Sequence, residues 1–286
     1  MDNFITVLLF GLFMASVFTL LKVGGVFFQR GFQKVVIKSL DKTNMITEWI
    51  FWVISFSVFM YFLRHQRQVD KGLLIVMGIL FGSFLISFGF IVSPILILLQ
   101  KRKYTIAIDY QNWAKATIDK RIQIRIIQQD QANAFATGIF SPYKIILLSE
   151  PLIQNLQEVD IKNIIYHEYA HLKNNHLFIL YLSNVLCCSI SVFSSSYFYP
   201  LFETTAHPGL LVTFHGALFG VLFIVIPGLV QRQLEYNADK YAAMAVGGDA
   251  YKKSLLQLNS ITQKGLEKKV LHYPHLMERL KHVSNY

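Results

Sequence analysis

The stretch His167-Glu168-Tyr169-Ala170-His171 has the pattern H-E-x-x-H and lies in a segment, Ile161–His176, that we predict to be one helix. Residues four apart share a helix face, so the two histidines can direct ring nitrogens to one point. Imidazole nitrogens at this spacing suit zinc, which binds nitrogen at about 2.0–2.1 Å. Glu168 lies about 100° around the helix from His167, beside the metal, where it can take a proton from water. Short H-E-x-x-H strings also occur in solvated helices, so a zinc site needs a third ligand elsewhere.

The composition is typical of a membrane protein. The chain is 53% hydrophobic, has a mean hydropathy of +0.42 and contains only 15% charged residues, whereas charged residues make up about a quarter of a soluble domain. The net charge of +10 comes from Lys and Arg that cluster beside apolar runs, as in cytoplasmic membrane loops. No basic helix with interleaved aromatic residues appears. We therefore expect a lipid bilayer, and no nucleic acid, as a partner.

Five apolar runs are predicted to be transmembrane helices: Ile5–Leu21, Ile46–Phe62, Gly72–Leu99, Leu177–Tyr199 and Leu210–Val230. The start of the chain lacks the positive region and cleavage site of a signal peptide, so we predict that the first run is a permanent transmembrane helix. The positive residues of the Gln29–Met45 loop and of Lys101–Lys103 place the polar regions in the cytoplasm by the positive-inside rule. The expected localisation is multi-pass in a bacterial cell membrane. The adjacent Cys187 and Cys188 imply no disulfide framework.

The third ligand is expected just after the fifth run. Two spans separate the motif helix from residue 231, so the chain returns to the same side of the membrane. There Glu235 and Asp239 are four residues apart on one helix face. We assign Glu235 as the third zinc ligand of a His2Glu site, and Asp239 as the carboxylate that holds the N–H of a ligand imidazole. The alternative is that both carboxylates only cap or solvate a helix.

The combination of H-E-x-x-H with a later E-x-x-A-D resembles the integral-membrane zinc metalloproteases that include the type I CAAX prenyl proteases and the heat-shock protease HtpX. Three further stretches agree: Asn133–Gly138 with the N-A-F-x-T-G strand, His176 with an H-E-x-x-H-x-x-x-x-H form, and Pro274–Leu280 with the closing H-P-x-L-x-E-R-L segment. The resemblance covers about Asn133 to Leu280. Tyr273 departs from it, because the family usually has His there, and so does the predicted number of spans, since the prenyl proteases have about seven.

The resemblance implies a role for each matching residue. One Zn²⁺ per chain would be bound by His167, His171 and Glu235, with Glu168 as the catalytic base. The Asn133-Ala134-Phe135 stretch would bind the substrate backbone by strand addition; the alternative is ordinary core sheet. Arg279, near His272 or His275, would stabilise the oxyanion; the alternative is a surface arginine that pairs with Glu278. His176 and Asp239 would support the ligands.

The expected fold is mainly α: a multi-span helical membrane protein with a zincin-like α+β metalloprotease domain at the cytoplasmic face. Its predicted regions are 1–100 with three spans, 101–176 with the motif helix, 177–230 with two spans, and 231–286 with the third ligand. Within the second region we predict a helix at Asp109–Lys120 and strands at Ile122–Ile127, Asn133–Gly138 and Lys144–Leu148.

The predicted function is that of a zinc metalloendopeptidase that cleaves membrane-associated or lipid-modified proteins, in the manner of a CAAX protease or of membrane quality control. One alternative is a sensor-linked membrane metalloprotease that cleaves a transcriptional repressor. The short tail after the last span argues against it, because such receptors need a sensor domain there. The other alternative is a catalytically inactive membrane scaffold, which would have lost a ligand or the base.

Overall fold

The computed structural model describes residues 71–87, 90–91, 93–99, 104–204, 214, 217–218, 220–262, 265–267, 271–284 and 286. The chain divides into two compact units, Met1–Phe81 and Gly82–Tyr286. Of the first unit, the structure describes only residues 71–81, which belong to one helix. The predicted spans Ile5–Leu21 and Ile46–Phe62 therefore lie outside the described residues. The H-E-x-x-H motif lies in the second unit.

The described residues of the third predicted span are helical. Helix α1 covers Lys71–Ser87 and α2 covers Ser93–Leu99. Residues 90 and 91, between these two helices, are π-helical, and Pro94 is the second residue of α2. The apolar run is therefore helical where it is described, and its continuity as one span stays a prediction.

Four strands form a sheet in the order β1-β2-β4-β3. They are Tyr104–Ile106, Gln123–Ile127, Ala134–Thr137 and Ile145–Ser149, for β1 to β4 in chain order. The central strands β2 and β4 are parallel, and both outer pairings are antiparallel. The three predicted strands are confirmed as β2, β3 and β4, and β1 was not predicted. Strand β3 is an edge strand, and this position matters for the site.

The motif helix packs on one face of the sheet. Helix α3 is Ile108–Thr117, α4 is Glu150–Asn155, and the motif helix α5 is Glu158–Lys173. Ile161, Ile164 and Ile165 of α5 lie with Ile124 and Ile146 of the sheet in one buried cluster. This packing follows from the strand alternation, which puts Ile124 and Ile126 on the same face. The sheet therefore holds α5 in place along its length.

Helix α5 ends earlier than predicted. Its last residue is Lys173, and Asn175 adopts a φ of 54°, a left-handed conformation that asparagine tolerates and that commonly ends helices. The Lys144 ammonium donates to the Leu172 carbonyl at 2.7 Å and to Asn175 Oδ1 at 2.8 Å, so a cation caps the last turn. His176 therefore begins the next helix, α6 (His176–Thr204).

One helical stretch within the described residues, His176–Ser194 of α6, is long and apolar enough to cross a membrane by length and composition; Ile75–Phe84 of α1 is shorter. The fifth predicted run is only partly described. Its last part forms a π-helical turn, Val221–Val225, followed by α7 (Ile226–Val246), and Pro227 lies in the first turn of α7.

Two helices complete the unit, α8 (Gly248–Ile261) and α9 (Leu276–Val283). The side chain of His275 accepts a hydrogen bond from the Met277 N–H, and Glu278 accepts one from the His275 N–H, which together form a capping box at the start of α9. Gly228 of α7 packs closely against Leu271 in the turn before α9. A Cβ at position 228 would lie only 3.0 Å from Leu271 Cδ2, so a larger residue would crowd this contact. These contacts bring the C-terminal segment against α7, and α7 in turn contacts α5.

Candidate metal centre and active site

The three predicted ligands converge. His167 and His171 come from one face of α5, and Glu235 comes from α7, which crosses that face. Their ligand atoms all lie within 4.8 Å of one another. His167 and Glu235 are buried, and His171 is partly buried. The structure thus brings together side chains that are more than sixty residues apart in the chain.

The separations fit a zinc ion. The two Nε2 atoms are 3.3 Å apart, and each lies close to a Glu235 oxygen, at 3.4 Å from His167 and 3.6 Å from His171. Ligand atoms placed about 2.1 Å from zinc at tetrahedral angles lie roughly 3.4 Å from each other. The two imidazoles and the carboxylate also form a donor set that zinc prefers. The residues present therefore fit the metal in both spacing and chemistry.

The pKa values of the two histidines are shifted in opposite directions. Burial lowers the pKa of His171 to about 4, although Glu235 partly opposes this effect. Burial also lowers the pKa of His167, but hydrogen bonds and charges from Asp239 and Glu235 outweigh it and raise that pKa to about 10. A ligating imidazole is neutral on the bonding nitrogen, so zinc and protons compete for His167.

A buried polar network lies behind His167. Asp239 Oδ1 is 3.1 Å from His167 Nδ1. The Arg279 guanidinium donates to both carboxylate oxygens of Asp239, with the Nε bond at 2.8 Å. The hydroxyl of Tyr251 on α8 donates to Asp239 Oδ1 at 2.7 Å and lies 2.9 Å from His167 Nδ1. The four side chains form a connected group across α5, α7, α8 and α9.

The contacts of Arg279 bear on its predicted role. Arg279 is 4% exposed, so the alternative of a surface arginine paired with Glu278 is wrong; Glu278 accepts instead from Arg232 at 2.6 Å. Two guanidinium nitrogens of Arg279 bond the buried Asp239, which favours a supporting role. Stabilisation of an oxyanion by Arg279 stays a prediction.

The Arg279–Asp239 pair is expected to be important for stability. In an Arg279→Met variant, Asp239 keeps its charge in a fully buried site without its partner, and this should lower the free energy of unfolding by about 3–5 kcal/mol. Thermal and denaturant unfolding of the metal-free protein in detergent would measure the change. Arg232→Met is the matched control, because the exposed Arg232–Glu278 pair should contribute no more than about 1 kcal/mol. Equal unfolding energies for the two variants would contradict the prediction.

Glu168 is buried between the ligands and the edge strand. Its carboxylate accepts a hydrogen bond from the Ala136 backbone N–H of β3. Burial raises the pKa of Glu168 to about 7; the charge of His167 lowers it and that of Glu235 raises it. A carboxylate whose pKa is close to the working pH can both accept and return a proton.

Strand β3 presents its backbone to the site. Asn133 lies just before the strand, and its backbone groups are tied to Ser149 through both its N–H and its carbonyl. Because backbone groups alternate along an antiparallel strand, the N–H and C=O of Ala134 and Ala136 face away from β4. The Phe135 side chain packs instead with Ile145 and Leu147 on the opposite face of the sheet. Of the predicted stretch, Ala134 thus has the backbone position that suits strand addition.

The remaining predicted residues lie near the ligands. His176 is buried, and its Nδ1 is 3.2 Å from His171 Nδ1. His275 serves as the N-cap of α9, whereas His272 lies near enough to Glu235 for that charge to raise its pKa against the lowering by burial. The Tyr273 hydroxyl is near both Glu168 and Glu235, since burial and these two carboxylates raise its pKa. A protonated phenol therefore stands at the position where the family resemblance predicts a histidine.

Residues 106–286, more than half of the chain, match the sequence model of Peptidase family M48. The chain belongs to peptidase family M48. This family comprises zinc metallopeptidases, and the resemblance stated from the motifs is confirmed. The match covers strands β2 to β4 and helices α5, α7, α8 and α9, and so every residue of the candidate site.

Individual relatives of M48 type agree. The chain is 32% identical over 130 residues to the Protease HtpX homolog of Bordetella avium (strain 197N), covering 42% of this chain and 44% of that protein. It is 28% identical over 153 residues to the Protease HtpX of Buchnera aphidicola subsp. Schizaphis graminum (strain Sg), covering 48% and 52%. The chain thus spans about half the length of the curated relatives it matches.

The fold is similar to that of a solved structure. The crystal structure of S. mikatae Ste24p superposes with a TM-score of 0.61 at 18% sequence identity, covering 87% of this chain and 66% of that chain. The mainly α fold is confirmed at this level, as a mostly helical protein with a Ste24p-like fold. The predicted number of five spans stays a prediction.

Proposed function

We propose that this M48 chain is a zinc-dependent integral-membrane endopeptidase that hydrolyses peptide bonds of membrane-associated or lipid-modified proteins. The observation that carries the proposal is the tetrahedral spacing of the His167, His171 and Glu235 ligand atoms. Glu168 lies beside this centre and contacts the edge strand. The convergence of the candidate ligands, the candidate base and the edge strand supports a site for peptide hydrolysis.

The side chains of the site have different roles in the proposed reaction. Zinc, when bound to His167, His171 and Glu235, would act as the Lewis acid that activates water and the scissile carbonyl. Glu168 accepts the proton of the attacking water and later gives it to the leaving amine, which its pKa of about 7 allows. The Ala136 N–H holds the Glu168 carboxylate in place during both transfers.

The substrate is proposed to bind as an additional strand on β3. Main-chain hydrogen bonds to an exposed edge provide affinity, and pockets for alternate side chains provide preference. The alanine side chains of β3 lie on the face that packs against α5, and their small size allows the helix with Glu168 to approach closely. A peptide on this edge would therefore place its backbone next to the base.

Strand addition can be tested at Ala134. An Ala134→Pro substitution removes an N–H that faces away from β4, and proline is tolerated at such edge positions. Loss of one intermolecular hydrogen bond should raise KM about two- to tenfold, with little change in kcat. Peptide hydrolysis kinetics would measure this effect, with zinc content and melting temperature as controls for folding. An unchanged KM would argue that the substrate does not pair with β3.

We place the active site at the cytoplasmic membrane surface. The apolar α6 begins at His176, only three residues after α5 ends, and α7 passes from the apolar Ile226–Val230 segment to Glu235 within one helix. The centre is therefore within a few helical turns of both apolar segments. Substrates embedded in or anchored to the bilayer would reach it without leaving the membrane surface.

The decisive experiment is zinc analysis with casein cleavage by the detergent-purified protein. We expect one zinc per chain, loss of cleavage on chelation, and recovery on adding zinc in equimolar amount. A prenylated peptide and its unmodified form, assayed in parallel, would separate a CAAX-protease-like preference from general membrane quality control. Stoichiometric zinc without cleavage of any of these substrates would support the scaffold alternative and overturn the proposal.

A further inference from the structure

Tyr251 is the unassigned residue with the closest connection to the metal centre. It lies on α8 and is 1% exposed, and its hydroxyl is 2.9 Å from His167 Nδ1 and 2.7 Å from Asp239 Oδ1. Arg279 Nη2 is also within 3.4 Å of the hydroxyl oxygen. The phenol therefore stands between the first zinc ligand and the carboxylate that was expected to orient it.

The hydrogen-bonding roles in this group follow from the chemistry of each atom. A deprotonated Asp239 can only accept, and Arg279 can only donate, so the Tyr251 proton goes to Asp239 Oδ1. The hydroxyl oxygen is then an acceptor for the His167 Nδ1–H, and it is nearer to that nitrogen than Asp239 Oδ1, at 2.9 Å against 3.1 Å. The result is a relay from His167 through Tyr251 to Asp239.

The relay has a consequence for the other ring nitrogen. A neutral imidazole that carries its proton on Nδ1 has its lone pair on Nε2, and Nε2 is the atom that faces His171 and Glu235. A hydrogen bond to the nitrogen that does not bind metal fixes the tautomer and the ring orientation of a ligating histidine. Buried partners cannot be replaced by solvent, which makes each member of such a network important.

We propose that Tyr251 is a positioning residue of the zinc site, which holds His167 in the Nδ1–H tautomer and aims its Nε2 at the metal. This inference rests on the proposed zinc centre. Asp239 also lies 3.1 Å from His167 Nδ1 and accepts from the phenol, and the Arg279 guanidinium fixes the carboxylate. The four residues belong to four different helices, so zinc binding and the packing of α8 and α9 are linked.

The test removes one oxygen atom. Tyr251→Phe keeps the ring that fills the buried space but lacks the hydroxyl, and loss of such a supporting bond weakens metal binding about 10- to 100-fold. We expect a zinc dissociation constant raised by this factor, measured by competition with a chromophoric chelator, and an altered visible absorption spectrum of the Co²⁺-substituted protein. Tyr241→Phe is the matched control, because its hydroxyl contacts the exposed Lys173 ammonium and not the network.

The measurements distinguish a role of Tyr251 in positioning His167 from a purely structural role, and failure of this inference from failure of the proposed function. Melting of the metal-free variants reports any purely structural role, and we expect the zinc affinity of Tyr251→Phe to fall well beyond any change in melting. Should that variant fail to fold, Tyr251→Met offers a flexible side chain without a hydroxyl for the same measurement. Wild-type affinity and cobalt spectrum in a folded variant would overturn this inference alone. Absence of zinc from the wild-type protein would instead overturn the proposed function.

Discussion

A Glu168→Gln variant is expected to lose peptide hydrolysis by about 10²- to 10⁴-fold, the usual contribution of a positioned acid–base group. Glutamine has nearly the same shape and can keep a contact with the Ala136 N–H, but it cannot accept a proton from water. Zinc content should remain that of the wild type, because Glu168 is not among the three converging ligand atoms. Steady-state cleavage of casein, together with metal analysis of the same samples, would measure both effects.

The same helix offers a matched control for this substitution. Glu158 lies in the first turn of α5 and pairs with Lys162 on its exposed side. Glu158→Gln changes the same functional group on the same helix but away from the centre, so its activity should stay within about twofold of the wild type, as for a surface substitution. Residual cleavage by Glu168→Gln at the level of this control would contradict the assignment of the base.

Zinc binding should depend on Glu235 more strongly than on any supporting residue. Glu235→Ala removes one of the three proposed ligands and its buried carboxylate. Burial raises the pKa of this carboxyl, but the neighbouring histidines outweigh burial and lower it. Loss of a supporting residue costs about 10- to 100-fold in metal affinity, and loss of a ligand should exceed the upper limit. Competition titration with a chelator would measure the affinity, and cleavage should fall with it.

Glu278→Ala is the control for this second prediction. Glu278 is exposed, pairs with Arg232 and caps α9, and it is not one of the converging ligands. Its removal should cost some stability through the lost cap, about 0.5–2 kcal/mol, while zinc affinity stays unchanged. If Glu235→Ala keeps zinc as tightly as Glu278→Ala does, the third ligand lies elsewhere and the centre must be reassigned.

Local periodicity explains which parts of the site could be predicted from the sequence. His167 and His171 are four residues apart on one helix, and a helix repeats every 3.6 residues, so their convergence needs no knowledge of the rest of the fold. Glu235 required one further step, the count of apolar runs that return the chain to the same side. The strands were found for a related reason, because alternation in Ile122–Ile127 is also a local signal.

The sequence did not predict features that depend on contacts between distant parts of the chain. The end of α5 depends on Lys144, which directly precedes β4 and caps the last turn of α5. No pattern within Ile161–His176 indicates this contact.

The sequence by itself was therefore enough to establish the family and to predict the ligands and the base, since these reside in short motifs with a fixed spacing. Only the tertiary structure decided the partners of Arg279 and the place of Tyr251. Arg279 has Glu278 as its chain neighbour, yet it bonds Asp239, forty residues away, because burial favours the partner that is enclosed with it. Tyr251 stands 84 residues from His167; hydrophobic periodicity can indicate that it is buried, but not which helix it meets.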